Sequence, residues 1–204
     1  QCLGMLGWTD AINDYIKSEL SDFNYNSTGA YALLLAQFGN GWSIRGGVSY
    51  SMDRSTKQDT EDYMETYPNI GVLKSYVVNE STTAIFDASI GTHQANTEAL
   101  PIAESHEDEL SSIEYAASYA LNYELMNFLI IPKYKISFKD YDKGVNKNRN
   151  DIVHDFNFKI EYPFSDSFKI STFYDYSTRK TDGLDDHDFK SHDYGIILGL
   201  NARF

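Results

Sequence analysis

The last eleven residues of the chain sort their side chains into two sets with a period of two. Tyr194, Ile196, Leu198, Leu200, Ala202 and Phe204 fall on one side, and Gly195, Ile197, Gly199, Asn201 and Arg203 on the other. Successive Cβ atoms of a strand point to opposite faces, so this period means an extended segment with two unlike sides. The rhythm runs back through the chain. Phe168, Ile170, Thr172, Tyr174 and Tyr176 alternate with Lys169, Ser171, Phe173 and Asp175, and Ile152, Phe156, Phe158, Ile160 and Tyr162 with Asp155, Asn157, Lys159 and Glu161. Phe128, Ile130, Tyr134, Ile136 and Phe138 alternate with Lys133, Lys135, Ser137 and Lys139. Ile113, Tyr115, Ala117, Tyr119, Leu121 and Tyr123 alternate with Ser112, Glu114, Ser118, Asn122 and Glu124.

Earlier strands are read at 84–90, at 68–79 with ambiguous register, at 42–52 and at 29–38. Gly39-Asn40-Gly41 joins the last two, supplying the positive φ of a tight hairpin. Short turns near 39–41, 79–81, 126–127 and 163–167 alternate with longer polar loops near 55–66, 99–110, 141–150 and 181–188. One short-turn end and one long-loop end describe an up-and-down antiparallel meander. Nine strands are read directly, and single-chain membrane barrels have even counts. Residues 1–9 are the candidate for the missing first strand, giving ten, with eight as the alternative. Ile12, Tyr15, Ile16, Leu20 and Phe23 have partial helical spacing, and Asp10 can cap a helix there, so 10–24 is expected as a short surface, plug or periplasmic helix.

No linker-like composition divides the 204 residues, so one domain over 1–204 is expected. The 16 Tyr and 12 Phe favour strands. A net charge of -13 argues against nucleic acid as a partner, because phosphates require clustered Lys and Arg. The single cysteine, Cys2, makes no internal disulfide, and Gln1 before it with no lipobox disfavours acylation. No apolar run is long enough for a membrane helix. A mean hydropathy of -0.44 does not exclude a membrane barrel, which turns only alternate residues to lipid.

Alternation alone does not separate a membrane barrel from a soluble, ligand-carrying one. Strand length does: several runs exceed the roughly 9–11 residues needed to cross a bilayer at a tilt. Aromatic residues also gather at the two ends. Trp42, Tyr123, Phe128, Tyr162, Phe164, Phe168 and Phe204 are expected at the short-turn end, and Tyr50, Tyr115, Tyr141, Tyr174 and Tyr176 towards the other, as two interfacial girdles. The polar sides carry both charge signs: Glu114 is expected opposite Lys139, Lys135 facing Asp155, and Glu161 facing Lys169.

Gly199-Leu200-Asn201-Ala202-Arg203-Phe204 resembles the C-terminal assembly signal of bacterial outer-membrane barrels, with a glycine, alternate apolar residues and a terminal aromatic. Ala202 is smaller than usual there. The resemblance covers only the last strand. It implies an all-β transmembrane barrel in the Gram-negative cell envelope, recognition by the barrel-assembly machinery, and outer-membrane lipid and lipopolysaccharide as surroundings.

The candidate chemistry is sparse. Asp185, Asp186, His187 and Asp188, with Ser191, His192 and Asp193, set imidazoles beside carboxylates in the last outer loop and strand. Such groups can act as base and orienter in hydrolysis or bind a divalent metal. Some outer-membrane proteases and lipid A deacylases are similar in using Asp, His or Ser, but their extended motifs are not matched, and a solvated acidic loop is the favoured reading. Glu104, His106 and Asp108 in a second loop are candidate cation ligands without EF-hand spacing. His93 and His154 read as structural or interfacial histidines on strands. No nucleophile elbow, zinc-protease motif, phosphate loop or CxxC occurs, and no cofactor is expected. The leading expectation is a non-enzymatic, porin-like but narrow barrel, either a small-solute channel or a structural or surface-interaction protein. Arg45, Glu114, Lys133, Lys135, Lys139, Asp155, Lys159, Glu161, Asp175, Arg179 and Arg203 are its expected lumen residues. A surface hydrolase, the membrane end of a secretion assembly, and a soluble barrel carrying an apolar ligand are the alternatives.

Overall fold

The computed structural model describes residues 2–13, 25–55, 61–96, 111–143, 146–165, 168–182 and 188–200. Ten strands follow one another: β1 (Cys2–Asn13), β2 (Tyr25–Gln37), β3 (Trp42–Ser55), β4 (Glu61–Asn79), β5 (Thr82–Asn96), β6 (Ser112–Leu125), β7 (Phe128–Tyr141), β8 (Asn150–Pro163), β9 (Phe168–Thr181) and β10 (Phe189–Leu200). They form one sheet in sequence order. Each neighbouring pair runs antiparallel, as the hairpin rhythm predicts. β1 and β10 are the two ends of this order. No helix among the described residues is long and apolar enough to cross a membrane, which has no bearing on strands.

Turn chemistry sets the short end. A 3-10 turn at Gly39–Gly41 places Asn40 at φ 60 and Gly41 at φ 73. A Cβ on Gly41 would run into the Ser75 carbonyl, so this position accepts only glycine. The β6–β7 turn puts Met126 at φ 56, a left-handed conformation at a non-glycine residue. Prolines mark local breaks in the ladders. The β4–β5 pairing skips from Thr66 to Asn69 around Pro68, and the β6–β7 pairing skips from Lys133 to Ile130 around Pro132. A residue without an N–H cannot complete a ladder on both sides.

Two expectations change. β1 continues through Asn13, which pairs with Tyr25, so residues 10–13 are strand and not the start of a helix. A regular ladder against β2 overrides the weak helical spacing of Asp10 and Ile12; residues 14–24 lie outside the described residues. Tyr141 stands at the long-loop end, but in the same parity as Lys139 and Ser137, and it is 6% exposed on the polar side. Trp42, Tyr123, Phe128, Tyr162, Phe164 and Phe168 do gather at the short-turn end. Phe128–Tyr162, Tyr162–Phe164 and Phe164–Phe168 ring centroids lie 5.0, 4.8 and 5.5 Å apart.

The distribution of side chains is the reverse of a water-soluble protein's. Leu6 is 86% exposed, Ile196 72% and Leu198 65%. The buried set includes Ser43, Ser112, Glu114, Ser137, Asp151 and Ser171, while Ala84, Ala95 and Tyr141 are the buried hydrophobic residues among those described. The polar side is the concave one. Arg45 of β3 reaches over β4 to bond Asp87 of β5, and His93 of β5 and Lys135 of β7 converge on Glu114 of β6.

Candidate functional site

The concave face carries a series of ion-pair clusters, and β-strand alternation brings their members together. Glu114 is the centre of the first. It accepts from Lys135 Nζ at 2.8 Å and sits 2.9 Å from His93 Nε2, with Lys139 Nζ at 3.6 Å. His93 Nδ1 lies 3.1 Å from Glu65 Oε1, and the Tyr63 hydroxyl donates to the same Glu65 carboxylate. The Tyr67 ring stacks on His93 with centroids 4.1 Å apart. It also lies over Gly91, where any Cβ would collide with it. Four strands, β4 to β7, are thus tied at one level.

Arg45 makes a two-pronged bond to Asp87, Nε to Oδ2 at 2.7 Å and Nη2 to Oδ1 at 2.8 Å, and Nη1 donates to Asn69 at 2.7 Å. The side chain passes over Gly71, whose missing Cβ leaves the room. Asp151 is 0% exposed and forms the loop-side cluster. It accepts from Arg149 at 2.8 and 2.6 Å and from the Tyr141 hydroxyl at 3.2 Å, with Arg179 at 3.8 Å. Towards the short turns, Glu161 holds Lys159 and Lys169, each at 3.0 Å, and the Ser171 hydroxyl at 3.0 Å. Asp155 accepts from Ser177 at 2.6 Å, and Asp175 from Asn157 at 2.8 Å.

Burial decides what these pairs are worth. A shielded carboxylate with several donors is costly to orphan, about 3–5 kcal/mol, because its partner charge is left in a low-dielectric site. A pair open to solvent contributes about 0–1 kcal/mol. Asp151 and Glu114 belong to the first class, and the half-exposed Lys169 to the second.

Two polar cavities, of about 230 and 190 Å³, lie along this face. Tyr141, Asp151 and Arg179 line the first, and Arg45, Tyr67 and Asp87 the second. Glu114 and Lys135 line both, so their ion pair stands between the two spaces.

Arg45, Glu114, Lys133, Lys135, Lys139, Asp155, Lys159, Glu161, Asp175 and Arg179 share the concave side by strand parity; Arg203 lies outside the described residues. The expected Glu114–Lys139 register holds, but Lys135, two rows further along the same side of β7, is the nearer partner. Lys135 is opposite Asp155 in register, and Lys169 does meet Glu161. Sequence reasoning missed Glu65, Asn69, Asp87 and Asp151. Asp87 follows from the parity of Phe86, Ala88 and Ile90, whereas Glu65 and Asn69 were hidden by the uncertain register before 79.

Of the candidate hydrolytic set, the described residues do not come together. His187 lies outside the described residues. Asp188 is engaged with the Thr181 backbone N–H at 2.7 Å. His192 is on the apolar side, its Nδ1 2.7 Å from the Tyr174 hydroxyl and its ring 4.9 Å from Tyr176. Asp193, the next residue along β10, therefore faces the opposite side. Glu104, His106 and Asp108 lie outside the described residues, and no metal-holding group of His, Cys, Asp or Glu occurs among those described. Gly199 of the assembly signal sits in β10 beneath the Lys169 side chain; Ala202 and Phe204 lie outside the described residues.

No protein-family model matches the chain. No curated protein matches it. Among solved structures the chain is similar to the β domain of the Bordetella autotransporter Brka, at a TM-score of 0.48 and 12% identity, over 97% of this chain and 86% of that one.

Proposed function

We propose that the chain is an integral β-barrel of a bacterial outer membrane, without enzymatic activity, whose lumen is held nearly closed by paired charges. The inverted distribution carries this reading: long apolar side chains stand exposed on the convex side, while carboxylates and their partners are enclosed on the concave side. Strands of 12–19 residues supply the length to cross a bilayer at a tilt. In lipid, unpaired backbone groups along β1 and β10 would each cost several kcal/mol, so the two end strands close on one another there. Short turns then face the periplasm and long loops the exterior.

A narrow small-solute path is the second reading, favoured by the two cavities that share the Glu114–Lys135 pair. Planar-bilayer recording of the purified chain separates the two. A closed barrel gives no steady conductance, and Glu114→Gln opens a small one by releasing Lys135. Steady conductance in the unmodified protein selects the channel instead. Recovery of the full chain in the soluble fraction, without detergent, would sink both readings.

A further inference from the structure

The convex face of β8, β9 and β10 changes chemistry in rows. Register places Leu198 and Ile196 in apolar rows, then Tyr174 beside Tyr194, then Tyr176 beside His192, then His154, Thr178 and Lys190 in one row, with Lys180 one row nearer the long loops. Apolar, aromatic, imidazole and ammonium groups follow in the order of a lipid leaflet from chain to headgroup.

Three further observations point to the headgroup's chemistry. Firstly, the charged side chains described on the convex side of the strands are Arg54, Lys74, Lys180, Lys190 and one acid, Asp140; the register positions of Asp10 on β1 and Glu61 on β4 share that side. Asp140 lies on β7, separated from Lys180 by β8. Secondly, Lys180 and Lys190 are exposed diagonal neighbours on adjacent strands, and neither has an ion pair among the described residues. Of the loop acids nearest them, Asp188 is turned to the Thr181 backbone, and Asp182, exposed two residues beyond Lys180, forms no ion pair with either lysine among the described residues. Thirdly, both histidines are fixed in the same way. Tyr134 and Tyr174 hydroxyls lie 2.6 and 2.7 Å from Nδ1 of His154 and His192. With each hydroxyl donating to Nδ1, the ring proton sits on Nε2, the nitrogen left to donate to an anion.

We propose that this face of β8–β10 binds the phosphate-bearing headgroup of a lipid in the leaflet on the long-loop side, with Lys180 and Lys190 as the charged contacts and His154 and His192 as the N–H donors. The proposal rests on the membrane reading above.

Diphosphoryl lipid A and its dephosphorylated counterpart are the probes, offered to the full chain in detergent micelles, with bound lipid counted by native mass spectrometry. Only protein that has entered micelles with an intact β circular-dichroism spectrum is scored. The expected result is retention of the phosphorylated lipid alone. The double variant Lys180→Gln/Lys190→Gln weakens it roughly tenfold, and Lys74→Gln, at the other end of the barrel, leaves it unchanged. Equal retention of both lipids, or undiminished retention by the double variant, overturns the proposal while the membrane reading stands. Failure of the chain to enter micelles overturns both.

Discussion

The concave face has two unlike arcs. From β3 to β9 it is lined by charges, each of the buried ones named with its partner. At the two ends of the sheet, along β1, β2 and β10 towards the short turns, it is lined by Ile197, Leu3, Met5, Leu33 and Leu35. Ile197 and Met5 are both 47% exposed and Leu3 52%, so this arc is loosely filled. Among the described residues, ion pairs hold register in the charged arc alone, whereas ring-over-glycine contacts act in both arcs, Tyr67 lying over Gly91 in the charged one. In the charged arc, ion pairs join adjacent strands, and Arg45–Asp87 reaches across one, from β3 to β5. In the apolar arc, rings cover glycines on the neighbouring strand: Tyr31 lies over Gly7 and Phe173 over Gly195. A one-residue slip would turn either device to the wrong side. The difference teaches that the interior is specified mainly by electrostatics on one side and by shape on the other.

The sharpest test of this contrast is Asp151→Ala set against Met5→Ala. Removing Asp151 leaves Arg149, 4% exposed at its side chain, without its carboxylate. The expected loss is about 3–5 kcal/mol. Met5→Ala in the open arc costs about 1 kcal/mol, below the range for a fully buried methionine. Urea unfolding of the protein in lipid vesicles, followed by tryptophan fluorescence, reads both. Equal losses would mean that the charged arc holds nothing the apolar arc does not.

Next in size is a comparison across the sheet. Leu198 and Ile197 are neighbours on β10 with opposite orientations. Leu198→Arg places a charge on the convex side, in the row of Ile170 and Tyr162 between the bilayer midplane and the short-turn interface, and is expected to cost about 1–2 kcal/mol. Ile197→Arg places it on the concave side, in the loosely filled arc where Glu161 is two strands away, and is expected to cost less than half as much. The same vesicle titration distinguishes them. A greater loss for Ile197→Arg would reverse the assignment of faces.

Much of this architecture is legible in the alternation alone. Nine strands, the short and long connections, and the side taken by Glu114, Lys135 or Ile196 follow from a period of two, and the tenth strand from the even count of membrane barrels. Residue type misleads where it is read ahead of parity. Tyr141 suggests an interfacial girdle because it is aromatic, yet it shares parity with Lys139 and turns inward to Asp151. His192 and Asp193 suggest a catalytic pair because they adjoin, yet adjacency on a strand sends them apart. Other parts had no local signal. Arg149 joins the Asp151 cluster from a loop, and the Tyr63–Glu65–His93 contacts depend on how far β4 extends before Pro68. No periodicity in one segment encodes which strand's residue completes another strand's cluster.

The smallest expected effect lies inside the charged arc and limits how far its electrostatic account extends. Lys169 pairs with Glu161 at 3.0 Å, but its side chain is 53% exposed, and Glu161 keeps Lys159 and the Ser171 hydroxyl without it. Coulomb attraction at a wet site is screened, and the long side chain gives up rotamer freedom to hold its place. Its stem also covers Gly199, so some packing is lost on truncation. Lys169→Ala is therefore expected to cost no more than about 1 kcal/mol, and its effect should shrink further between low and high salt. A loss as large as that for Asp151→Ala, insensitive to salt, would show that burial does not rank these clusters, and that the exposed short-turn end carries as much of the barrel's stability as its enclosed rim.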